Sequence, residues 1–164
     1  MNAYMPANDA PSAKLATCFV TKGDNRYAML MAKNFEAKAN LESVKVPALG
    51  RTVNGYKSGS MDIKFSMTIY HCTEIFDEII EEFKKTGVMP TFDIQVTNED
   101  PATSVGKSTK IYTGCILDGE VLLSMFDADG ELIEQSIEGY AQDFTRPEKY
   151  TTDEAVETRW RDGH

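Results

Sequence analysis

The sequence predicts a mainly β, antiparallel chain with a single α-helix. Three observations carry that reading. Two stretches alternate polar and apolar residues with period 2. Gly23-Asp24-Asn25, Asp118-Gly119 and Asp129-Gly130 supply hairpin turn signals between β-prone runs. Only one stretch, Glu74 to Lys85, carries the helical period.

In chain order, residues 1–14 are polar, contain Pro6 and Pro11, and read as an extended arm. Ala16 to Lys22 and Arg26 to Ala32 read as a strand pair around the Gly23 turn, the second strand running on into the next segment. There Phe35, Ala37, Ala39 and Leu41 alternate with Glu36, Lys38, Asn40 and Glu42. Such a strand has one apolar and one wet face. Pro47, Gly50, Gly55 and Gly59 then mark a long connection over Val46 to Ser60. The clearest strand follows, with Met61, Ile63, Phe65, Met67 and Ile69 on one side and Asp62, Lys64, Ser66 and Thr68 on the other.

The helix places Ile75, Phe76, Ile79, Ile80 and Phe83 on one stripe, expected to bury against a sheet face. Thr73 is the expected N-cap, Lys84 and Lys85 close the last turn, and Gly87 supplies a left-handed residue after it. Thr91 to Thr97 is a further strand, and Asn98 to Ser108 a polar loop. A meander of Thr109 to Leu117, Val121 to Phe126 and Glu131 to about Phe144 completes the pattern. The expected organisation is one domain over 1–150 and a charged tail over 151–164.

Composition excludes several classes. No apolar run approaches the roughly 20 residues that span a bilayer as a helix. The N-terminus lacks a basic flank and an apolar core, so a signal peptide is not expected. Cys18, Cys72 and Cys115 are odd in number and lack C-x-x-C spacing, which argues against a disulfide framework. The net charge is −9, and Tyr112 to Thr145 carries eight acids with no Lys or Arg. Such a surface repels nucleic acid.

The candidate chemical motifs fail on their own requirements. Gly50 to Ser58 nearly spells a phosphate-binding loop, but Tyr56 intrudes between Gly55 and Lys57 and a strand follows where a helix must. Asp127-Ala128-Asp129-Gly130 suggests a calcium loop. With Gly130 at position 6, however, positions 1 and 12 fall on Met125 and Ser136. His71-Cys72 is an adjacent pair of soft ligands without companion spacing. No G-x-S-x-G occurs. Neither a catalytic site nor a metal or other cofactor is expected. What remains is a β-rich chain with long alternating strands whose edges invite pairing, as in a polymerising subunit. The residues alone keep a second class open, a monomeric β-sandwich module binding a small ligand or glycan.

Particular residues carry a resemblance. They are Phe35-Glu36-Ala37, Gly50-Arg51 with Gly55-Tyr56-Lys57, the strand to Ile69, the helix, and Asp143-Phe144-Thr145-Arg146-Pro147-Glu148-Lys149. Over about Lys33 to Tyr150 the chain resembles the tail tube proteins of contractile-tailed phages, defective prophages and phage-derived bacteriocins. The resemblance implies a β-sandwich or barrel-like subunit with one flanking helix. Long hairpins of neighbouring subunits would join into an inner β-barrel. It implies six-membered rings stacked as a hollow tube inside a sheath, with baseplate and tail terminator proteins as further partners. DNA would be passing cargo, with no stable membrane association. The tube would be assembled in the host bacterial cytoplasm and reside in the particle. Gly50, Arg51, Gly55, Tyr56 and Lys57 would lie at a ring-to-ring surface. The alternating regions, Asn34 to Val46 with Met61 to Ile69 and Ile111 to Leu117 with Glu131 to Phe144, are then expected to build the bore. Its wet face would present Glu36, Lys38, Asn40, Glu42, Asp62, Lys64 and Ser66, and, with no base nearby, Glu134, Ser136 and Glu138.

Overall fold

The computed structural model describes residues 16–28, 32–71, 73–99, 106–130 and 132–149. The expected N-terminal arm, the charged tail, Cys72 and positions 100–105 of the polar loop lie outside them. The described residues are mainly antiparallel β-strand with one helix, as the periodicities predict. They divide into two units, and β6 (Lys107–Asp118) gives its residues to Thr113 to the first and from Gly114 to the second.

In the first unit, β1 (Ala16–Lys22) and β2 (Asn25–Ala28) form the expected hairpin, with Gly23 at φ 61° in its turn. β1 pairs antiparallel with β5 (Phe92–Glu99), which lies next to β6; β8 (Asp143–Glu148) also pairs with β6. Val20, Phe92, Ile94 and Tyr112 are buried. A hydroxyl chain ties β5, β6 and β8. The buried Thr109 Oγ1 donates to Glu148 Oε2 at 2.7 Å. It has one proton, so Thr97 Oγ1, 3.0 Å away, must be its donor. Arg26 lies over the Phe19 ring, 4.1 Å from its centroid, and donates to Gln95 at 3.2 Å. The expected run-on of the second strand falls on residues 29–31, which lie outside the described residues. β2 is described to Ala28, and the strand described from Ala32 finds its partner in the second unit.

The second unit contains β3 (Ala32–Val46), β4 (Gly55–Tyr70), α1 (Ile75–Thr86), the rest of β6, and β7 (Glu134–Ala141). Its strand order is β6-β7-β4-β3. Ile63, Phe65, Met67 and Ile69 of β4, Ile137 and Ala141 of β7, and Cys115 and Leu117 of β6 form its buried side with Ile75, Phe76 and Ile79 of the helix. Gly139 permits close packing: a Cβ there would run into the Ile116 carbonyl and stand 2.9 Å from the Phe65 ring. Phe35 stacks on Phe65 with ring centroids 6.4 Å apart.

Five expectations change here. Gly55 to Ser60 belong to β4, because Ser43 to Val46 pair with Ser58 to Gly55; the connection shrinks to residues 47–54. Glu74, not Thr73, occupies the N-cap, and Thr73 Oγ1 only accepts the Ile75 N–H at 3.5 Å. Gly87 does adopt the left-handed conformation, its N–H donating to the Phe83 carbonyl at 2.8 Å. Ile80 is half-buried and Phe83 is 42% exposed, since the apolar stripe runs on beyond the unit's core. Finally, Val121 to Phe126 is not a strand: β6 pairs directly with β7, which leaves this run no partner. The single expected strand over Glu131 to Phe144 is two, β7 and β8, separated at Gln142.

Candidate assembly surface

The β6-β7-β4-β3 sheet has two unlike faces. Alternation buries one set of side chains and leaves the other exposed, and β7 shows it without interruption from Glu134 to Ala141. Register sets the residues of this second face in cross-strand rows, with Ser66 and Thr68 half-buried. Glu36 faces Ser66, Ser66 faces Glu138, and Glu138 faces Asp118. Lys38 faces Lys64, which faces Tyr140. Asn34 faces Thr68, which faces Ser136, and Asn40 faces Asp62. Glu42 accepts a hydrogen bond from Ser60 Oγ at 3.1 Å. All ten residues expected on a wet face therefore come together on one side of one sheet.

The charge of that side differs from expectation in one respect. Lys33, the extra residue at a register shift between Ala32 and Asn34, reaches Glu134 at 3.0 Å. Glu134 thus has a base beside it, and its hydrogen bond and charge hold the Lys33 ammonium above its ordinary pKa. Lys38 is raised in the same way by Glu36, 2.6 Å away. Both pairs are exposed and contribute little to stability. Acids still outnumber bases: Glu36, Glu42, Asp62, Asp118, Glu134 and Glu138 stand against Lys33, Lys38 and Lys64.

The β3–β4 hairpin reaches beyond the buried core. From Lys38 to Asp62 its side chains are exposed on both faces, Gly55 alone being intermediate. Gly50 at φ 77° and Arg51 lie at its turn, and Gly55, Tyr56 and Lys57 open β4 opposite Val46, Lys45 and Val44. The five residues expected at a ring-to-ring surface thus gather at the hairpin tip. Sequence reasoning missed the apolar residues beside them. Leu41, Val44, Val46, Leu49 and Val53 are all exposed. The signal was present: on β3 the face carrying Glu36, Lys38, Asn40 and Glu42 continues as Val44 and Val46. A second register shift, between Leu41 and Ser43, coincides with that change. Residues 119–130 form another exposed apolar segment, in which Phe126 is 94% exposed. Among the described residues, no three His, Cys, Asp or Glu side chains gather as a metal site.

Comparisons with known proteins agree with this geometry. The family profile described as "Phage tail tube protein" matches residues 3–148. The chain is 26% identical to the phage-like element PBSX protein XkdM of Bacillus subtilis over 121 residues, covering 74% of this chain and 82% of XkdM. Its fold resembles the SPP1 tail tube, with a TM-score of 0.60 at 10% identity over 90% of this chain and 86% of that one. It also resembles a chain of the PVC extracellular contractile injection system sheath–tube complex, with a TM-score of 0.57 at 15% identity over 79% of this chain and 86% of that one.

Proposed function

The chain belongs to the phage tail tube protein family, and from that premise we propose that it is the repeating subunit of the hollow inner tube of a contractile phage tail or a phage-derived bacteriocin. Six copies form a ring. Rings stack inside a sheath, a baseplate and a terminator cover the ends, and the bore conducts DNA or ions. The particle is its place of residence, and its role is structural.

The observation that carries this reading is the β3 edge. β3 is 15 residues long and, among the described residues, stands last in its strand order, paired with β4 alone. A long open edge is a template for another chain. A neighbouring subunit that continues the sheet removes the edge, and repetition around an axis closes a barrel. The two-faced sheet then has a use for each side. Its apolar side builds the subunit core, and its exposed side, with Glu36, Lys38, Asn40, Glu42, Asp62, Lys64, Ser66, Glu134, Ser136 and Glu138, lines a water-filled bore.

Analytical sedimentation and negative-stain microscopy of the concentrated protein test this. Hexamer-sized rings and hollow tubes are expected. A monomer at every concentration, binding a small ligand or glycan, would instead establish a β-sandwich binding module.

A further inference from the structure

The two ends of the β6-β7-β4-β3 sheet carry opposite surfaces. Register fixes which loop lies at which end. The 47–54 turn lies where β4 begins. The β6–β7 connection lies where β4 finishes, since Tyr70 faces Glu134 and the His71 N–H donates to the Ile133 carbonyl at 2.8 Å. β4 has 16 residues. At about 3.4 Å per residue the two ends stand roughly 50 Å apart.

At the first end the chain is basic and apolar. Ser43 to Met61 contains Lys45, Arg51 and Lys57 and no acid. None of the three forms an ion pair among the described residues. Leu49, Val53 and Tyr56 stand exposed beside them. At the other end the chain is acidic and apolar. Residues 119–130 carry Glu120, Asp127 and Asp129 without a base, next to Asp118, and expose Leu123, Met125 and Phe126.

We propose that the hairpin tip of one copy seats on the 119–130 segment of a second copy displaced along the strand direction. This rests on the tube reading and names the surface that receives the tip. Both complementarities are present on one chain: cation against anion, and exposed apolar residues on each side. The contact joins different patches of identical copies, so it does not close on itself and repeats as an open stack. An occupant of another kind has no need of matching ends on one sheet.

Two double variants test the contact. Arg51→Glu with Lys57→Glu reverses the tip; Glu120→Lys with Asp129→Lys reverses the receiving segment. All four positions are exposed, so each variant should melt as the wild type does. Each variant alone should form rings but need about tenfold more protein to stack. An equimolar mixture of the two ring preparations should stack again, because each reversed tip then meets a reversed segment. Wild-type stacking by either variant alone, or a mixture no better than its components, would overturn the contact while leaving the tube standing. Wild-type protein that gives neither rings nor stacks would remove the tube reading and this contact with it.

Discussion

Phe76 and Phe83 lie two turns apart on one helical stripe, yet their surroundings differ: Phe76 is fully buried and Phe83 is 42% exposed. Phe76→Ala should destabilise the chain by about 3–5 kcal/mol through lost burial and the cavity left behind. Phe83→Ala should fall well below that, and chemical denaturation of the two variants in parallel measures the difference. The half-buried thiol of Cys18 illustrates the same environmental control, since desolvation pushes it up to about 11. Glu148 behaves in the opposite direction. The hydrogen bond from Thr109, with Lys107 beside it at 3.3 Å, holds its carboxyl below the ordinary 4.5. A depressed carboxyl contributes stability that is complete above its ordinary value and is lost as pH falls through the folded value. Glu148→Gln should therefore lower the melting temperature at neutral pH, with the two proteins converging under acid conditions. The effect is small because the carboxylate faces water. None of these distinctions was legible in the sequence. The stripe Ile75, Phe76, Ile79, Ile80 and Phe83 says which way a helix faces, not how far the core beneath it extends, and Thr97, Thr109 and Glu148 are brought together only by strand pairing.

Elements were legible wherever a single period persisted. The helix was read almost to both ends and the strand Met61 to Ile69 to within one residue of its far end, and Gly87 terminated the helix as a left-handed residue should. The errors lie where pairing overrides composition. Gly55 and Gly59 look like loop residues, but Ser43 to Val46 supply them with a partner strand. Val121 to Phe126 looks like a strand, but β6 and β7 pair with each other and leave it none. The wet face was legible from alternation; Lys33 beside Glu134 was not, because a register shift has no mark in the sequence. The extended hairpin has a consequence for hydrogen exchange. Amides of residues 43–58 should exchange rapidly in the lone subunit, where little packs over them, and those of 63–69 slowly. In assembled tubes the first group should become protected. Equal protection of 43–58 in both forms would place the tip outside the contacts between copies.

For the whole molecule, if the exposed face of the β6-β7-β4-β3 sheet lines a bore as proposed, its excess of acid bears on transport. A basic bore would hold phosphates through counterion release, whereas an acidic one lets a duplex slide. Glu134→Lys with Glu138→Lys should leave tube formation intact and slow DNA or ion passage, most strongly at low salt. Unchanged passage with impaired solubility or sheath attachment would put this face on the outside. The unlike ends of the same sheet place a local dipole between its two terminal segments, positive over Ser43 to Met61 and negative over 119–130. With a Debye length of about 8 Å at physiological ionic strength, that dipole exerts no long-range pull. It acts when two copies nearly touch, and there it discriminates by orientation: tip meeting tip is repelled, as is segment meeting segment. A stack built from such units has a direction, and its two termini are chemically different, one cationic and one anionic. In the proposed stack, what caps one terminus would not suit the other, and growth from a particular end would keep its polarity through every added layer.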